Sequence, residues 1–189
     1  DVNQNCGQAV LTSSKHKTGS DRIYEALKII GKSDIELVMN LQGDEPLMNI
    51  DDIKNLHQRM IKTKSIIGTL ASKINDKEFY KKENIVKVIT KESFETSNFP
   101  EAANFTRKSD DFAKNTYHHL GIYCYQIETL KKYISLDQSH NEIKNKLEQL
   151  RALDNNIKIN VALAKETSLG VDTEEDYVAI KKIMEYKSG

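Results

Sequence analysis

The sequence predicts an α/β domain of three layers, with helices on both faces of a mostly parallel sheet. Short apolar strand-like runs alternate with helical patterns almost from end to end. The chain has 189 residues, 38% of them hydrophobic and 30% charged, which suits one folded domain over residues 1–189. No repeat, low-complexity tract or interdomain linker interrupts the alternation.

Taken in order, Gln8 to Ser13 reads as a short strand leading into a Gly-containing turn. Asp21 to Ile30 reads as a helix, with Ile23, Ala26, Leu27 and Ile30 at helical spacing. Gly31 suits its C-cap and Ser20 its N-cap. Glu36 to Leu41 is a buried strand broken by Gln42-Gly43-Asp44-Glu45-Pro46. A helix over about Asp51 to Lys62 follows, capped by Asn49 or Asp51. Strands are expected at Ile66 to Ser72 and Ile85 to Thr90. Residues 92–117, with Pro100 and mixed polar side chains, read as an irregular excursion serving a dimer interface or the substrate side. His119 to Gln126 returns as a strand, and Glu142 to Leu153 as one amphipathic helix presenting Ile143, Leu147, Leu150 and Leu153. Ile157 to Ala164 is a last strand and Thr173 to Tyr186 a closing helix.

Charge excludes several partners. Lys plus Arg and Asp plus Glu balance at 28 each, which removes the electrostatic case for nucleic acid or an anionic membrane. No apolar run approaches the roughly 20 residues needed to span a bilayer. Cys6 and Cys124 form no C-x-x-C pair, so free thiols in a reducing, cytoplasmic setting are expected.

Chemistry is carried by five segments. After Glu36 to Leu41, Asp44 stands just beyond a strand's C-terminal end, where ligands of α/β sheets collect. A carboxylate there suits Mg²⁺ carried by a nucleotide, while a plain polar turn is the alternative. In Gly170-Val171-Asp172-Thr173-Glu174-Glu175, Asp172 reads either as an N-cap with Glu175 three residues on, or as a second metal carboxylate. The turn from Thr12 and Ser13 through Gly19-Ser20-Asp21-Arg22 opens a helix and can hold an anion or a base. Adjacent His118 and His119 face opposite sides of a strand and cannot chelate one metal together. His119 and Tyr123 share parity and face one side. Glu148 and Gln149, beside an apolar stripe, offer the carboxylate and amide that vicinal hydroxyls need.

In this order, the blocks Gly19-Ser20-Asp21-Arg22, Gln42-Gly43-Asp44-Glu45-Pro46, His119-Leu120-Gly121-Ile122-Tyr123, Leu147-Glu148-Gln149-Leu150-Arg151 and Gly170-Val171-Asp172-Thr173 resemble the 3-deoxy-manno-octulosonate cytidylyltransferase (CMP-Kdo synthetase) family. Asn84-Ile85-Val86-Lys87-Val88 also matches, and the likeness spans essentially the whole chain. It implies a Rossmann-like nucleotidyltransferase fold, a homodimer, and Mg²⁺-dependent transfer of CMP from CTP to an acidic sugar for lipopolysaccharide biosynthesis. By this resemblance Asp44 and Asp172 are the catalytic metal carboxylates. Gln42, His119, Tyr123, Glu148 and Gln149 line the sugar pocket, and Thr12, Ser13, Gly19, Ser20 and Arg22 meet the nucleotide.

Two departures from the family pattern shape the expectations. Family members carry a first strand and a basic phosphate-binding loop ahead of the first matching block; here that segment is expected to be truncated, the alternative being a lost triphosphate grip, and the sequence by itself is expected to hold CTP weakly. Thr96 stands where the family usually has the arginine of a Ser-Arg pair, which leaves open a related acidic sugar (an amino analogue or a sialic-acid-like acid) or a non-catalytic nucleotide-sugar-binding domain.

Overall fold

The computed structural model describes residues 2–5, 7–74, 80, 82–108, 114–165, 170–171 and 174–187. Six described strands form one sheet: β1 (Leu37–Asn40), β2 (Ile67–Ser72), β3 (Lys87–Thr90), β4 (Ala102–Thr106), β5 (Thr116–Gln126) and β6 (Asn160–Leu163). Its order is β4-β3-β5-β2-β6, and β1 pairs with the far half of β5 on the edge whose near half holds β3. Strands β1, β2, β3 and β6 run one way, while β4 and β5 run the other. Four of six strands are thus codirectional, as a mostly parallel sheet requires. The long β5 nevertheless lies among strands of opposite sense. Only the β2–β6 ladder is parallel, and the other four are antiparallel.

Helices cover both faces. They are α1 (Gly19–Ile30), α2 (Ile50–Thr63), α3 (Ile127–Ile134), α4 (His140–Asn145), α5 (Leu150–Asp154) and α6 (Glu174–Lys187). Alternation along β5 divides the core. Tyr123 and Tyr125 point to a cluster with Ile67, Val88, Phe105, Leu130 and Tyr133, backed by Ile23 and Leu27 of α1. Leu120, Ile122 and Cys124 point to the other, with Leu56 and Met60 of α2 and Leu70 and Phe99. Gly68 lets α2 approach this closely, because a Cβ there would stand 2.6 Å from the Met60 sulfur.

Several expected elements shift, each for a local reason. Gln8 to Ser13 is not a strand: no described ladder includes it, and Leu11 is 97% exposed. Helix α1 begins at Gly19 because Thr18, rather than Ser20, is the N-cap and accepts from the Asp21 amide at 3.3 Å. Gly31 closes it in the left-handed region at φ 68°, its N–H donating to the Leu27 carbonyl. The helix expected over Glu142 to Leu153 is two helices. Lys146 turns left-handed at φ 53° and ends α4, so Ile143 is 60% exposed while Leu147 and Leu150 stay buried. A buried ion pair spans the break: Arg151 Nε donates to Glu142 Oε2 at 2.8 Å and its Nη2 to Oε1 at 2.5 Å.

Residues 92–117 contain β4 and the start of β5. Ahead of β4, the Val161 amide donates to Pro100 O at 2.8 Å and the Ala102 amide to Ile159 O at 2.7 Å, tying this connection to β6. Cys124 is a free, buried thiol, pushed up to about 11 by burial; Cys6 lies outside the described residues.

Candidate functional site

The site grows outward from a kink in β5. Cα pairing with β2 jumps from Thr69↔Tyr123 to Leu70↔Leu120, leaving Gly121 and Ile122 as a bulge. Thr69, fully buried, services it: its hydroxyl donates to the Ile122 carbonyl at 2.7 Å and lies 3.0 Å from His119 Nε2. With the hydroxyl proton committed to Ile122, His119 donates from Nε2. Burial, with the neighbouring His118 adding to it, lowers the His119 pKa to about 3, so the ring is neutral.

His119 and Tyr123 come together as parity requires, their ring centroids 5.4 Å apart, and Phe105 meets His119 edge-on at 5.0 Å. Tyr123 stacks on Tyr125 at 5.8 Å, and Tyr125 lies 6.1 Å from Tyr133. Three tyrosines therefore continue one wall. The Tyr133 hydroxyl donates to the Glu148 carbonyl at 2.6 Å, fixing the residue just after the α4 break. Tyr125 OH lies 3.5 Å from the hydroxyl of Ser20 in the first turn of α1.

Two polar atoms in this wall have no partner among the described residues: the Tyr123 hydroxyl and Glu148 Oε1, both buried. Burial raises the Glu148 pKa, opposed by the nearby Ser20 and Thr18 hydroxyls and by Arg151. Buried polar atoms are normally hydrogen-bonded, so Tyr123 Oη and Glu148 Oε1 are open to a partner from outside the described residues.

The site's outer edge is the loop after β1. The Gln42 side chain lies over Gly121, its amide atoms 3.4 to 3.5 Å from where a Cβ would stand, which is ordinary van der Waals contact. Asp44, two residues on, is exposed. Its carbonyl accepts from the Val171 amide at 2.8 Å, bringing Gly170-Val171 against it. Asp172 itself lies outside the described residues. An exposed carboxylate at the sheet's C-terminal edge fits a hard divalent cation shared with phosphate oxygens.

The residues that the sequence suggested for the nucleotide are spread along the turn before α1 and its first turns. Arg22 Nη1 donates to the Thr12 hydroxyl at 3.0 Å, and the Ser13 amide donates to Glu25 Oε2 at 2.8 Å, which His16 also contacts. Ser13 and Gly19 are exposed, while Ser20 is buried and turned toward Tyr125. Gln149 is partly buried at the N-cap of α5, with no capping bond from its side chain. Thr96 sits in an exposed turn, its hydroxyl donating to the Ser93 carbonyl at 3.1 Å. Sequence reasoning missed Thr69, Tyr125 and Tyr133. Tyr125 was within reach, since it shares parity with His119 and Tyr123; Thr69 joins the site only through the bulge.

A profile described as cytidylyltransferase matches residues 1–159. The chain belongs to the cytidylyltransferase family. Within it, the chain is 40% identical to the 3-deoxy-manno-octulosonate cytidylyltransferase of Thermodesulfovibrio yellowstonii, over 94% of this chain and 74% of that protein. It is 38% identical to the enzyme of the same name from Afipia carboxidovorans, over 94% and 72%. A solved CTP complex of CMP:2-keto-3-deoxy-manno-octonic acid synthetase superposes with a TM-score of 0.84 at 28% identity, covering 98% of this chain and 76% of that one. An apo UDP-glucose pyrophosphorylase shares the fold at a TM-score of 0.70 and 13% identity. This cytidylyltransferase is therefore a nucleotidyltransferase of the fold that the sequence predicted.

Proposed function

We propose that this cytidylyltransferase activates 3-deoxy-manno-octulosonate, taking CMP from CTP and releasing diphosphate, in lipopolysaccharide synthesis. The observation that carries the reading is the pair of unpartnered buried atoms, Tyr123 OH and Glu148 Oε1, beside a neutral His119. A sugar acid with several hydroxyls supplies the partners that these atoms lack, and two relatives named for that sugar are 40% and 38% identical to this chain.

In the reaction, the sugar's anomeric hydroxyl attacks the α-phosphorus of CTP, the bond to the bridging oxygen breaks, and diphosphate leaves. Transfer of this kind depends on positioning and charge neutralisation rather than on a covalent enzyme intermediate. Tyr123, Glu148 and His119 orient the sugar, with Gln42 and Gln149 at its outer margin. His119 is unsuited to serve as general base, because burial lowers its pKa to about 3 and so makes it a weak proton acceptor, and its Nε2 lies against the Thr69 hydroxyl. Asp44, with Asp172, would hold Mg²⁺, which would neutralise phosphate charge and acidify the attacking hydroxyl. The turn from Thr12 to Arg22 faces the nucleotide. We infer a cytoplasmic homodimer from the family likeness; no described helix is long and apolar enough to cross a membrane.

The test is a coupled diphosphate-release assay on the purified protein with CTP and 3-deoxy-manno-octulosonate, with and without Mg²⁺. The expected result is diphosphate and CMP-sugar in equal amounts, only with the cation. Diphosphate release that ignores the sugar would sink the proposal.

A further inference from the structure

Asp52 is an anomaly of α2. It is 2% exposed, yet none of the ion pairs among the described residues neutralises it. A buried carboxylate is costly unless its oxygens are satisfied, so its partners show what it is for. Both oxygens accept from one donor, the backbone amide of Lys165, at 3.1 Å each. Asp52 stands in the first turn of α2, behind the Asn49 cap, where the free N–H groups favour negative charge. The residue it grips is the first after Ala164, whose amide donates to Ala71 O in the closing bond of the β2–β6 edge. Asp52 thus holds the chain at the point where it leaves β6.

The same two segments meet a second time. The β1–α2 connection that carries Asp44 accepts, through the Asp44 carbonyl, from the Val171 amide at 2.8 Å. Gly170, just before it, lies close enough that a Cβ would stand 3.6 Å from that carbonyl oxygen. The connection from β6 to α6 is therefore fastened to the β1–α2 segment at both of its described ends: Lys165 on Asp52, and Val171 on Asp44. The first fastening uses a buried carboxylate with two acceptor oxygens; the second is one backbone bond at the exposed edge.

We propose that Asp52 is a positioning residue that fixes Lys165, where the chain leaves β6, so that Gly170 and Val171 seat against Asp44. It touches neither substrate nor reacting atoms. It acts by anchoring the inner end of a segment whose outer end abuts the candidate metal carboxylate. The functional consequence rests on the reading of Asp44 given above; the anchoring itself does not. The neighbouring ion pair, Lys165 Nζ to Asp51 Oδ2 at 3.2 Å, is exposed on both sides and adds little to this grip.

The test is residue-resolved amide hydrogen exchange on the ligand-free protein, comparing wild type with Asp52→Ala, Asp52→Asn and Asp51→Ala. Asp52→Ala removes the acceptor, and exchange at both Lys165 and Val171 should quicken about tenfold or more, while the β2 amides keep their protection. Asp52→Asn keeps the volume and one acceptor oxygen, and Val171 should stay within about threefold of wild type. It also keeps the test open if Asp52→Ala does not fold. Asp51→Ala should behave as wild type. The Mg²⁺ concentration for half-maximal diphosphate release should rise in Asp52→Ala and return in Asp52→Asn. Unchanged Val171 exchange in Asp52→Ala, or an Asp52→Asn variant as disturbed at Val171 as the alanine, overturns the proposal. Activity that is independent of divalent cation would instead remove the functional reading and leave the exchange result to judge the anchor.

Discussion

Replacing Arg151 by Met isolates what holds Glu148 and Gln149 in place. Arg151 pairs with Glu142 across the break between α4 and α5, with side-chain exposures of only 3% and 4%. Its guanidinium also lies over the Tyr133 ring, 4.9 Å from the centroid. Methionine fills similar volume but abandons the Glu142 carboxylate, which keeps only Gln138 Nε2 at 3.2 Å and the Ser139 amide at 3.1 Å. Removing one partner of such a buried pair costs about 3–5 kcal/mol. For a chain of this size, each kcal/mol moves Tm by about 2–4 °C, so the melting point should fall by roughly 6–20 °C.

Converting Glu142 to Gln in the same protein removes the stranded charge and keeps an acceptor for Ser139, so the double variant should recover most of the loss. The assay is urea unfolding of wild type, both singles and the double. Sugar KM should rise in Arg151→Met more than CTP KM, since the break carries Glu148. Acid should shrink the difference. Burial alone would raise the Glu142 pKa, but the Arg151 bond, with Gln138 and Ser139 helping, brings it below the ordinary value. A carboxylate whose folded pKa is depressed stabilises above its unfolded pKa, near 4.5, and that stabilisation is lost as pH falls through the folded value. A loss under about 1 kcal/mol for Arg151→Met at neutral pH would refute the reasoning, because that is what an exposed pair is worth.

Further outcomes follow from the same geometry. Asp44→Asn should lower turnover at least about tenfold, or about 1.4 kcal/mol, in steady-state kinetics, with little change in Tm because the side chain is exposed. Gln149→Ala should raise the KM for the sugar more than that for CTP, the lost hydroxyl partner costing about 1–3 kcal/mol; equal rises would mean a disturbed α5. His118 and His119, held by burial at about 4 and about 3, stay neutral in the folded state while the unfolded chain takes up protons near 6.5. Stability should therefore fall as pH drops from about 6.5 toward 4, and their imidazole NMR shifts should not titrate between pH 5 and 8.

What the sequence could reveal followed from periodicity and local chemistry. Parity along His119 to Tyr125 placed His119 and Tyr123 on one face, and the structure brings their rings together. Gly31 and Asn49 signalled their helix ends by residue type alone. Strand direction was less accessible: alternating elements suggest crossovers, but nothing local to Thr116–Gln126 says that it runs against its neighbours. The break at Lys146 was hidden because the leucine stripe continues across it; the buried Glu142–Arg151 pair needs the break and leaves no helical-period signal. Strand β4 went unseen because Ala102-Ala103-Asn104-Phe105-Thr106 is too polar to alternate cleanly, with only Ala102 and Phe105 buried. Thr69 and Asp52 act through backbone groups remote in sequence, which no spacing rule reaches.

The most direct measurement is kcat/KM for diphosphate release across a panel that crosses CTP, UTP, ATP and GTP with 3-deoxy-manno-octulosonate, its amino analogue and a sialic acid. A wall with one unpartnered carboxylate oxygen and one unpartnered phenol discriminates by which sugar hydroxyls meet them. The account predicts that CTP with 3-deoxy-manno-octulosonate exceeds every other pair by at least about tenfold, and that Glu148→Gln narrows the margin between sugars without touching that between nucleotides. A higher kcat/KM for another sugar, or a Glu148→Gln protein with the sugar margin intact, would contradict it.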